Sequence, residues 1–89
     1  MMILNRLKWR GKTWEEWEMC EGTPGLTLQE CEGLIRGWSE EPGNRVVQVE
    51  NTTKVYGPLN TEEYRIVEDG FDVARLNETI AASLAGMRK

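Results

Sequence analysis

The chain has 89 residues, with 15 acids, 11 bases, no histidine and two cysteines, a length that fits one small domain with a single core. At 39% hydrophobic and 29% charged residues it reads as a soluble globular chain rather than a disordered one. The absence of histidine removes the commonest general base and every Ser/His or Cys/His nucleophile, and Cys20 and Cys31 fit neither a disulfide scaffold nor a zinc-ligand spacing, so no enzyme, cofactor or metal is expected.

Ile3 to Lys12 alternates. Ile3, Leu7 and Trp9 fall at odd positions and Arg6, Lys8, Arg10 and Lys12 at even ones, so a strand here shows four bases on one face. Gly11 ends it. Thr13-Trp14-Glu15-Glu16 then has the form of a capping box, and Glu15, Glu16 and Glu18 suit the positive end of a helix dipole. With Trp14, Trp17 and Cys20 or Glu21 at helical spacing, the reading is a short helix that Gly22-Thr23-Pro24-Gly25 terminates. A second capping box follows at Thr27-Leu28-Gln29-Glu30. Leu28, Cys31, Ile35 and Trp38 form a helical stripe, with Gln29, Glu32, Gly33 and Arg36 on the opposite face, and Pro42-Gly43 ends it.

Arg45 to Asn51 and Thr53 to Tyr56 flank an Asn-Thr-Thr turn and predict a hairpin, broken by Gly57-Pro58. Glu63 to Val67 predicts a third strand with Tyr64 and Ile66 on one face. Val73, Leu76, Ile80, Leu84 and Met87 then mark a C-terminal helix that packs on the sheet or serves as a homodimer seam. The fold class is therefore α+β: a helix-turn-helix-like helix pair with a small antiparallel β-sheet, winged-helix-like, and a C-terminal helix. All of it is one domain over 1–89, with the helix pair in 1–42 and the hairpin, strand and last helix in 43–89.

Charge is unevenly spread. Residues 1–12 carry +4, residues 13–42 carry −7 and residues 43–89 carry −1, within a net charge of −4. A basic edge beside an acidic block suggests two surfaces with different partners. No apolar run is long enough for a membrane span or a secretion signal, which makes the cytoplasm the expected location. Cys20 and Cys31 are expected to be buried thiols on the two facing helices, and Trp14 the most exposed tryptophan among mostly core ones.

Gly11-Lys12-Thr13, Glu16-Trp17, Gly22, Thr27-Leu28 and Ile35-Arg36-Gly37-Trp38-Ser39-Glu40-Glu41 together resemble a pattern in small phage and prophage helix-turn-helix proteins, over residues 8–41. The resemblance implies DNA binding or regulation, with the 27–38 helix in a major groove and the hairpin tip, residues 50–54, as a wing. On this reading Arg6, Lys8, Arg10, Lys12 and Lys54 position the phosphate backbone and Gln29 and Arg36 meet base edges. Glu30 and Glu32 stand where the resembling proteins offer lysine or arginine. That departure supports an alternative: an acidic protein-binding module or inhibitor, DNA-mimicking in the manner of phage anti-host proteins, presenting Glu15, Glu16, Glu18, Glu30 and Glu32 to a basic host protein.

Overall fold

β1 (Met2–Trp9) contributes a buried residue to each face of the sheet and decides where both helices sit. The computed structural model describes residues 1–87. Along its whole length β1 pairs antiparallel with β5 (Asn60–Val67), from Met2 opposite Val67 to Trp9 opposite Asn60. Its other edge takes the two-residue strand β2 (Glu18–Met19), while β4 (Thr52–Tyr56) pairs with β5 and β3 (Arg45–Val49) closes the far edge. The result is a five-stranded antiparallel sheet in the order β2-β1-β5-β4-β3.

Two helices pack on opposite faces of this sheet. Helix α1 (Leu28–Ser39) buries Cys31 and Ile35 against Ile3, Val55 and Tyr64. Helix α2 (Val73–Met87) sets Val73, Leu76 and Ile80 against Met2, Leu4, Val67 and Trp17. Successive strand residues point to opposite faces, so the sheet divides the interior into two cores where the length predicts one, and Ile3 and Leu4, both 0% exposed, root one each. Among the described residues no helix is long and apolar enough to cross a membrane.

The α+β class, the helix over 28–39, the hairpin, the strand through Val67 and the C-terminal helix match the reading of the sequence. The capping box at Thr27 is formed in both directions: Thr27 Oγ1 accepts the Glu30 N–H at 3.1 Å, and Glu30 Oε1 accepts the Thr27 N–H at 3.1 Å. The hairpin turn falls on Glu50-Asn51 rather than on Asn51-Thr52-Thr53, with Glu50 at φ 55°, and Thr52 is buried at the start of β4.

The expected helix over residues 13–20 is not formed, and the helix-turn-helix pair that it would have completed is therefore missing. Residues 13–17 form no regular element and Glu18–Met19 is strand. The hydrogen bonds explain why. The backbone N–H groups of Glu15, Cys20 and Leu26 donate to the carbonyls of Leu7, Ile3 and Met1 at 2.8, 2.9 and 3.2 Å, covering the outer edge of β1. A helix of about eight residues is marginal on its own, whereas an unpaired β1 edge leaves buried backbone groups without partners. The sheet's demand wins over the local capping signal.

Thr23 completes that edge. It is 1% exposed, its Oγ1 accepts the Ile3 N–H at 3.0 Å and its hydroxyl donates to the Cys20 carbonyl at 2.7 Å. Thr23→Val keeps the shape and strands the Ile3 N–H in the core. The expected cost is about 1–3 kcal/mol, read as a lower midpoint in urea unfolding with an unchanged slope.

Candidate nucleic-acid interface

Helix α2 covers only one end of its face of the sheet. The register fixes what the rest of that face carries. Arg6 lies opposite Glu63, Leu4 opposite Arg65 and Lys8 opposite Thr61 across β1–β5. Lys54 lies opposite Glu63 across β4–β5, and Arg45 opposite Tyr56 across β3–β4. With side chains alternating, Arg6, Lys8, Arg65, Lys54 and Arg45 all project from the face that bears Leu4 and α2. Each of the four long strands contributes at least one base. The row spans three strand intervals, about 14 Å.

Among the described residues one carboxylate answers these charges. Arg6 Nη2 pairs with Glu63 Oε1 at 2.9 Å, and Glu63 is only 5% exposed. Lys8, Arg45, Lys54 and Arg65 form no ion pair among the described residues. The guanidinium carbons of Arg6 and Arg65 lie 4.8 and 5.0 Å from the Trp17 ring centroid. Contacts of this kind hold a cation in place without neutralising it. Arg45 lies over Tyr56 in the same way, at 4.9 Å. Trp17 is 2% exposed and is itself clamped by Asn77 of α2, whose side-chain amide accepts the Trp17 N–H at 2.9 Å and donates to its carbonyl at 3.0 Å.

Beside this row, a groove of about 620 Å³ opens between α2 and the segment joining β1 to β2. Arg6, Lys8, Lys12, Trp14, Ile80 and Leu84 line it, with Glu15 and Glu16 also present. Arg10 is exposed just past the end of β1, where its N–H donates to the Leu59 carbonyl at 3.0 Å.

The sequence-based candidates thus divide. Arg6, Lys8, Lys12 and Lys54 share one side of the sheet, and Arg10 sits at its rim. Gln29 and Arg36 lie on α1, behind the opposite face, so they do not join the basic strand in one interface. The acids also separate: Glu15 and Glu16 at the groove, Glu18 on β2, Glu30 and Glu32 on α1. Arg65 and Arg45 escaped the sequence reading, because only the strand order and register bring them beside Arg6. Trp14 is half-buried, and Trp9 and Trp38 are the exposed tryptophans. Trp38 tilts against Tyr64 at 5.7 Å.

The surroundings of both thiols favour the protonated form. Burial, then Glu62, pushes Cys20 up, and burial pushes Cys31 up. Cys31 is buried on α1 as expected, but Cys20 is only half-buried and follows β2 rather than lying on a helix. Tyr64 is pushed well above the ordinary phenol range by burial first and then by donating its hydrogen bond to Glu62. Compared with protein-family models, curated proteins and solved structures, the chain matches none.

Two exposed carboxylates tie folding to pH. Accepting the Thr27 N–H and then the Thr27 hydroxyl holds Glu30 below the ordinary carboxylate range, and accepting the Gly25 N–H does the same for Asp69. A carboxylate whose folded-state pKa is depressed adds stability at neutral pH that is lost as pH falls through its folded-state value. The urea midpoint should therefore drop from pH 7 to pH 3. Glu30→Gln with Asp69→Asn should lower it at pH 7 and shrink the drop.

Proposed function

We propose that this protein binds nucleic acid through the basic face of its sheet. The observation that carries the reading is the row of Arg6, Lys8, Arg65, Lys54 and Arg45, drawn from four strands and paired, among the described residues, with the carboxylate of Glu63 alone. A phosphate backbone is a regular line of negative charge, and a row of fixed cations gains affinity from it by releasing condensed counterions. The overall charge of −4 does not oppose this, since Glu30 and Glu32 lie on α1 and Glu40 and Glu41 just past its end, while Glu15 and Glu16 stand at the groove beside the row rather than on its strands. The phage-type DNA-binding reading is kept in its ligand and changed in its element. The sheet contacts the backbone, and α1, with Glu30 and Glu32 exposed, does not act as a recognition helix.

The acidic docking alternative loses support because Glu15 and Glu16 lie on the far side of the sheet from Glu30 and Glu32. No single protein surface meets all five acids.

Four cations free of carboxylates predict that the logarithm of the binding constant falls with the logarithm of salt with a slope of about −3 to −4, the lower figure for single strands. Fluorescence anisotropy with labelled mixed-sequence oligonucleotides, single-stranded and duplex, measures it. Lys8→Ala, Arg45→Ala and Lys54→Ala should each weaken binding at every sequence and flatten the slope by about 1. Gln29→Ala with Arg36→Ala should change affinity less than about twofold, within the ordinary effect of an uninvolved surface site. Binding absent at low salt, or lost in the α1 variant and kept in the sheet variants, overturns the reading.

A further inference from the structure

The groove beside the basic row has features that phosphate contact alone leaves unused. Trp14 is half-buried and lines it, with the Arg6 guanidinium carbon 4.4 Å from the ring centroid and Lys8 Nζ at 6.0 Å. Ile80 and Leu84 of α2 line the same groove, and Leu84 is 55% exposed, a large apolar side chain left mostly open to solvent. Lys8 and Lys12 border the same space. An indole, an aliphatic wall and two ammonium groups surround an opening of about 620 Å³, within the range of about 300–1,000 Å³ that takes small organic ligands.

We propose that this groove receives one unpaired nucleobase, stacked on Trp14, so that the protein takes single-stranded nucleic acid in preference to duplex. The inference rests on the sheet-face reading and names its substrate class. Arg6 occupies one face of the indole and enriches the stack from behind, as a cation does against a ring quadrupole. The base lies against the other face and is backed by Ile80 and Leu84. Its phosphate reaches Lys8 and Lys12, and the chain continues along Arg65, Lys54 and Arg45. Glu15 and Glu16 repel phosphate from their part of the groove and orient the nucleotide, with its backbone toward the lysines. A duplex keeps its bases paired and stacked, and must extrude one to fill this space. A single strand offers its bases at no such cost, and aromatic stacking accepts any of them.

The test compares a mixed-sequence single-stranded DNA 15-mer with the duplex of the same sequence at one salt concentration. The expected result is single-strand binding at least about tenfold tighter than duplex binding. Trp14→Ala should weaken single-strand binding about 5- to 150-fold, the span that removal of one base-stacking aromatic produces, and leave the duplex within about twofold. Ala81→Trp fills the groove from α2 while residue 14 remains tryptophan, and should give the same pattern. Trp9→Ala, on the other face of β1, serves as the control that changes neither, and thermal melting confirms that each variant is folded. Equal affinity for the two forms, or single-strand affinity insensitive to both groove variants while Lys8→Ala and Lys54→Ala still weaken it, overturns the base-stacking site and leaves the sheet-face reading standing. No binding of either form at low salt overturns the sheet-face reading itself.

Discussion

The pairing of β1 with β5 is the interaction on which the rest of the structure depends. Eight consecutive residue pairs join the first strand of the chain to the last, and both strands alternate between two buried layers. Ile3 and Leu4 are adjacent in sequence and root separate cores, α1 on one side and α2 on the other. A slip of one residue would exchange the faces of the whole strand. It would drive Arg6 into the α1 core and lift Ile3 out of it. The same register that packs both cores therefore also sets Arg6 beside Glu63 and Arg65 diagonally across from it.

Charge follows the layers. One side of the sheet carries the five bases, and the other is backed by α1 and a second groove of about 560 Å³ between α1 and the β3–β4 hairpin. That groove has Ile35, Val46 and Ile66 among its lining, with Glu32, Glu40 and Glu50 against Arg36 and the Met1 ammonium. The two concavities thus have opposite sign. An acidic chain holds a basic surface because the sheet separates the two, and at about 0.15 M salt the screening length of about 8 Å mutes the repulsion between the faces. The acids of α1 are then no obstacle to a polyanion on the far side.

How much of this was legible in the sequence depends on whether a signal was periodic within one element or shared between elements. The α1 stripe of Cys31 and Ile35, the α2 stripe of Val73, Leu76 and Ile80, and the alternation of Arg6 and Lys8 are periodic and local, and the structure follows them. Residues 13–20 carried a true capping pattern and tryptophans at helical spacing, yet the free edge of β1 needed hydrogen-bond donors from Glu15, Cys20 and Leu26. No local pattern records that need. Arg65 and Arg45 were invisible as site residues for a related reason. Their place beside Arg6 comes from strand order, which neither strand specifies alone. Gln29 and Arg36 were assigned to the site through a helix pair that does not form. Asn77 and Thr23 were missed because a single side chain that clamps backbone leaves no pattern in the sequence.

The β1–β5 pairing also has a consequence in time. Val67, the partner of Met2, is made 65 residues after it. At about 5–20 residues per second, the first strand waits on the order of several seconds during synthesis before its main partner exists. Through that interval β1 has only the short β2 segment to pair with, and the apolar run from Met2 to Leu4 stays unburied. The four bases at positions 6, 8, 10 and 12 follow immediately after that run. In a nascent chain they act as gatekeepers, keeping an unpartnered strand in solution by mutual repulsion until β5 arrives. The bases that line β1 in the finished fold thus protect the chain while it is being made.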